Sequence, residues 1–118
     1  MKTVLIVDKL QSINVALDYM LSEQGYNAIC HDTYCSEDII ELNPDLLIVN
    51  LAIDDNEGSE LISKVKAKLN HIQVIIICNE KDLKEISSSG ITNIYISKPF
   101  DIMIFADVVN QILQPTSI

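Results

Sequence analysis

Residues 44–50 read Pro44-Asp45-Leu46-Leu47-Ile48-Val49-Asn50. Four consecutive apolar residues, two of them β-branched, stand between Pro44-Asp45 and the polar amide Asn50. An apolar run of this length without polar alternation is the pattern of a strand covered on both faces, as in a parallel sheet. The pattern recurs upstream at Val4-Leu5-Ile6-Val7 and downstream at Val74-Ile75-Ile76-Ile77. Shorter strand candidates lie at Asn27 to Cys30 and at Ile94-Tyr95-Ile96.

The stretches between these runs follow a helical period. Leu10, Ile13, Leu17 and Leu21 recur at helical spacing, and Gly25 suits a left-handed cap. Ser36 is a candidate cap for a second helix, with Glu37 and Asp38 in its first turn. Its apolar contacts are Ile39, Ile40 and Leu42, and Asn43-Pro44 stops it. Leu61, Ile62, Val65 and Leu69 mark a third helix. Leu83 and Ile86 predict a short fourth, weakened by Ser87-Ser88-Ser89 and ended by Gly90. Phe105, Val108, Val109 and Ile112 define the core face of a fifth, with Asp101 as its cap.

Five βα units in series predict an α/β fold with helices on both faces of a parallel sheet. Right-handed crossovers make a flavodoxin-like (βα)5 three-layer sandwich, strand order 2-1-3-4-5, the leading topology. One domain over residues 1–118 is expected, with its core in 2–113 and a tail or linker start at 114–118.

Composition narrows the function. The 118 residues are 48% hydrophobic, which argues against disorder. No apolar run reaches a membrane-spanning length, and Val4–Val7 is too short for a signal-peptide core. A cytoplasmic location is the expectation. The net charge of −9 disfavours direct binding to nucleic acid. Cys30, Cys35 and Cys78 form no CxxC pair, and with two histidines in the chain a metal cluster has few ligands to draw on.

In an open parallel sheet, sites form beyond the carboxyl ends of the strands. Asp8 and Lys9 follow the first strand, Asn50 the third, Cys78 the fourth and Lys98 the fifth. At these residues the chain resembles the receiver domains of two-component response regulators, which act in phosphorelay signal transduction. The matching segments are Val4-Leu5-Ile6-Val7-Asp8, Pro44 to Asn50 with Gly58 after it, and Tyr95-Ile96-Ser97-Lys98-Pro99-Phe100. The resemblance spans Lys2 to Leu113.

The resemblance implies a magnesium-dependent pocket with two adjacent acids, a phosphoacceptor aspartate, a hydroxyl and a lysine. Asp8, Lys98 and the switch aromatic Tyr95 fit that pattern. Lys9 stands for the second acid, Asn50 for the phosphoacceptor and Cys78 for the hydroxyl. An amide is a very poor nucleophile toward phosphorus, and magnesium asks for hard oxygen ligands. These departures point to a degenerate pocket, a pseudo-receiver: no enzyme, no magnesium, no cofactor. Asp8, Lys98, Asn50 and the Lys9 ammonium are expected to form one cluster, with Lys9 either in the pocket or in solvent. A surrogate acceptor would be Asp54, Asp55 or Glu57. Cys78 near Lys98 raises the question of a reactive thiol, against the simpler reading of a buried, inert one.

The leading function is therefore phosphorylation-independent contact with a protein partner or a second copy, through the face of the fourth helix, fifth strand and fifth helix. Tyr95, Met103 and Ile104 are its candidate apolar part. Alternatives are the regulatory N-terminal domain of a longer DNA-binding response regulator, a receiver phosphorylated at a surrogate acid, and a small-ligand sensor.

Overall fold

The apolar runs fold as strands and the 3.6-periodic stretches between them as helices. The computed structural model describes residues 1–9, 14–51, 56–88, 90 and 94–114. Its elements are β1 (Thr3–Val7), α1 (Asn14–Glu23), β2 (Asn27–His31), α2 (Ser36–Leu42), β3 (Leu46–Asn50), α3 (Asn56–Lys68), β4 (Gln73–Asn79), α4 (Leu83–Ser88), β5 (Ile94–Lys98) and α5 (Ile102–Leu113). A 3₁₀ turn, Glu80–Asp82, leads into α4. The five strands are parallel, in the order β2-β1-β3-β4-β5. That is the predicted flavodoxin-like arrangement.

Alternation along the strands splits the interior into two layers. Val4, Ile6, Leu46, Ile48, Ile75 and Ile77 face α1 and α5, where Leu17, Leu21, Phe105 and Val109 complete the packing. Leu5, Val7, Leu47, Val49, Val74 and Ile76 face the other side and meet Ile39, Leu61, Ile62, Val65 and Ile86 from α2, α3 and α4. Burying each of these side chains contributes roughly 1.5–3 kcal/mol. β3 is covered along its whole length. Thr3 and Asp45 fix where β1 and β3 begin: the Thr3 amide donates to the Asp45 carboxylate, and the Asp45 amide donates to the Thr3 carbonyl, both at 2.8 Å.

Caps follow the sequence in most places. Gly25 takes φ +89° just past α1, and the Tyr26 amide reaches back to the Leu21 carbonyl at 3.0 Å, which closes the helix end. Asn43 ends α2 in a left-handed conformation and donates to the Ile39 carbonyl. The Asp101 carboxylate accepts from the Met103 and Ile104 amides at 2.8 and 3.3 Å. The start of α2 differs from expectation. Ser36 is the first helical residue, and Cys35 occupies the extended cap position without a side-chain capping bond. The Cys35 thiol instead meets the Glu37 carboxylate at 3.6 Å.

Other adjustments are small. In α2 only Ile39 is buried, because the helix ends after seven residues and Leu42 is left at its exposed tip. On α5 the core face includes Ala106 and Leu113, while Val108 and Ile112 are half-buried. Leu69 falls just beyond α3. α4 is short, as its serines predict. Leu10 and Ile13 of the first helical pattern lie outside the described residues. No helix among the described residues is long and apolar enough to cross a membrane.

Candidate functional site

The sheet register decides which polar groups meet at its carboxyl edge. Val7 stands opposite Val49, so the next residues, Asp8 and Asn50, emerge side by side. Asp8 is fully buried and Asn50 nearly so. The Asp8 backbone amide donates to the His31 carbonyl at 3.0 Å, which holds the turn after β1. Across the gap the Asn50 Nδ2 donates to Asp8 Oδ1 at 3.1 Å. This is a buried, charge-assisted hydrogen bond between a carboxylate and an amide. On the other side of the sheet's midline Cys78 is opposite Ser97, and Asn79 is opposite Lys98.

The single expected cluster therefore divides into three parts. Asp8 and Asn50 form the inner pair. Lys98 is only partly buried and makes no ion pair with a described carboxylate. Its charge acts instead on Cys78. Burial pushes that thiol up, Asp82 pushes it the same way, and Lys98 opposes them. The net upward direction keeps Cys78 protonated and a poor nucleophile. Lys9 is neither in the pocket nor free in water. Its ammonium lies 4.9 Å from the centre of the Tyr34 ring and 3.8 Å from the Glu57 carboxylate. An ammonium beside buried Asp8 would lose its hydration, whereas an aromatic face and an exposed acid at the rim let it keep water. Exposed pairs of this kind contribute little to stability.

Two residues of the site were not anticipated. Tyr34, in the loop after β2, gives Lys9 its resting place. Asp82 is 7% exposed at the end of the 3₁₀ turn, close enough to Cys78 to act on its thiol. An acid three residues beyond the end of β4 was the available signal, but it reads as solvated loop. Glu57 lies exposed in the first turn of α3, whereas Asp54 and Asp55 lie outside the described residues. Tyr95 is half-buried against the layer that holds Cys78, Leu83 and Ile86. Met103 and Ile104 are 60% and 63% exposed, so the structure places these two on the surface and Tyr95 largely beneath it.

Known proteins share this fold. Response regulator protein VraR of Staphylococcus epidermidis is 27% identical over 122 aligned positions, covering 98% of this chain and 58% of VraR. Sporulation initiation phosphotransferase F of Bacillus subtilis is 26% identical over 114 positions, covering 93% of this chain and 92% of that protein. A response regulator protein from Burkholderia multivorans superposes with a TM-score of 0.78 at 17% identity, over all of this chain and 99% of its own. The chain is similar to response-regulator receiver domains. At such identity the structural likeness speaks for the fold, and the two sequence relatives show a similarity to response regulators. No family model matches the chain. The chain spans a little over half the length of the VraR protein it matches.

Proposed function

We propose that this receiver domain signals without phosphorylation, through contacts with a protein partner. The observation that carries the reading is the buried hydrogen bond from Asn50 to Asp8. The end of β3 presents an amide where a receiver needs a carboxylate nucleophile. That amide also engages the remaining acid of the pocket.

Magnesium does not fit these donors. The ion requires hard oxygens, usually with one or two carboxylates. Asp8 offers one carboxylate, already bonded to Asn50, and Lys9, turned to the rim, supplies no second one. The described residues contain no group of three or more histidine, cysteine or acidic side chains arranged for a metal. Cys78, a weak donor, would hold a phosphoryl oxygen poorly.

Incubation with acetyl phosphate or phosphoramidate in millimolar magnesium should leave the intact mass unchanged. A gain of one phosphate on the native chain would end this reading.

Receiver domains are regulatory and work through partner proteins. The partner face proposed here is α5 with the adjoining β5, where Met103 and Ile104 are exposed while Asp101 holds the helix start in place. Replacing both with Asp should weaken self-association or partner capture about thirtyfold, the effect of losing a central apolar anchor. Sedimentation and pull-down measure it, with circular dichroism as the folding control. Unchanged binding by a folded double variant would move the output surface elsewhere.

A further inference from the structure

β2 is the strand that the fold covers least. It stands at the sheet edge, hydrogen-bonded among the described residues to β1 alone, and none of its five residues is buried. Strands of a parallel sheet are normally covered on both faces. α2, which follows β2, ends after seven residues and packs chiefly on α3. Between β2 and α2 this leaves a groove of about 440 Å³, lined by Ile29, His31, Asp38, Glu41 and Leu42. Its lining combines apolar Ile29 and Leu42 with the carboxylates of Asp38 and Glu41.

The backbone of β2 is also available. Asn27 donates its amide to the Lys2 carbonyl, and the His31 carbonyl accepts from the Asp8 amide. Along a parallel strand these directions alternate, so the N–H and C=O groups of Ala28 and Cys30 point away from β1. Edge strands are usually protected by lysine, proline or a charged residue. β2 reads Asn27-Ala28-Ile29-Cys30-His31 and has no such guard.

We propose that this edge receives a short, extended, basic segment of a partner protein as a sixth strand. An apolar side chain of the segment covers Ile29 and Leu42, and flanking lysines or arginines meet Asp38 and Glu41. Charge complementarity selects this occupant: the chain carries −9, and the groove's own charges are acidic. A second copy of the chain would bring the same acids to the same groove, and like charges oppose that pairing. The surface is independent of the Asp8–Asn50 pocket, so its test stands apart from the phosphorylation test.

The experiment titrates the ¹⁵N-labelled chain with acetyl-Lys-Thr-Val-Thr-Lys-amide, whose lysines and valine share one face when extended. Saturable shifts should centre on the Ala28 and Cys30 amides, and their hydrogen exchange should slow. The Asp38→Asn/Glu41→Gln double variant should bind about tenfold more weakly, because the charges that complement the lysines are gone. Ala28→Pro removes an outward N–H without removing a ladder bond, and should abolish the exchange protection. If that variant does not fold, the charge variant and the exchange data decide. Shifts spread over the whole acidic surface, no shifts at all, or an equal response to the peptide with glutamate for lysine would each overturn the proposal. So would Ala28 and Cys30 protection that grows with protein concentration in the free chain, which would assign the edge to a second copy.

Discussion

At neutral pH the Asn50→Asp variant should unfold with about 2–4 kcal/mol less free energy than the native chain. The substitution is nearly isosteric, so packing hardly changes. What changes is the pair with Asp8. The native amide donates to Asp8 across 3.1 Å in a buried setting. An aspartate there has no hydrogen to donate when ionised, so the bond is lost and two carboxylates face each other away from water. Two further signs accompany the loss. Like charges raise the proton affinity of such a pair, so the deficit should narrow as pH falls and one carboxyl takes up a proton. Magnesium should also return part of the loss in the variant, because the second carboxylate supplies what the native donors lack. Binding at a hundred times the dissociation constant would return about 2.7 kcal/mol. Urea denaturation of both proteins, with and without magnesium at pH 5 and 7, reads all three effects. A variant as stable as the native chain and indifferent to magnesium would show that residue 50 does not govern the pocket's charge.

Phe105→Ala should cost about 3–5 kcal/mol, a large share of the stability of a domain this size. Phe105 is 1% exposed, and its ring centre lies 5.1 Å from that of Phe100 at a tilt of 38°. It belongs to the layer that joins α5 to β1, β3 and β4. Truncation leaves a cavity that Ala106 and Val109, fixed on the same helix, cannot fill. Thermal and chemical denaturation should agree on the loss. A cost under 1 kcal/mol would mean that α5 can settle into the space, and that its placement against the sheet is looser than the packing indicates.

The fold was legible because its strands are strong and its punctuation is local. Leu46 to Val49 admit few other readings, Gly25 and Asn43 mark helix ends by their left-handed backbone, and Asp101 marks one by its capping carboxylate. The start of α2 was less readable. Ser36 is a better capping residue than Cys35, but the chain enters the helix one residue earlier than that preference suggests. The site was legible as a set of positions, since β-sheet register alone puts Asp8 beside Asn50. Its side-chain directions were not. Whether Lys9 turns inward depends on Tyr34, a loop residue 25 positions away whose ring no periodicity predicts. The burial of Asp82 likewise depends on the 3₁₀ turn between β4 and α4, which a single acidic letter does not encode.

The full coverage of β3 has a kinetic consequence. Amides of a strand flanked on both sides and buried along its length exchange with solvent only when the whole domain opens, while an edge strand such as β2 exchanges through smaller, more frequent openings. Asn50 is the last residue of that slowest strand. The inner end of the pocket is therefore anchored to the part of the molecule that moves least, and no local fraying can relieve a misfit there. The rim, built from the Lys9 turn and the Tyr34 loop, belongs to the faster class. Native-state hydrogen exchange would thus divide one small pocket between two timescales, slow at Asn50 and fast at Lys9.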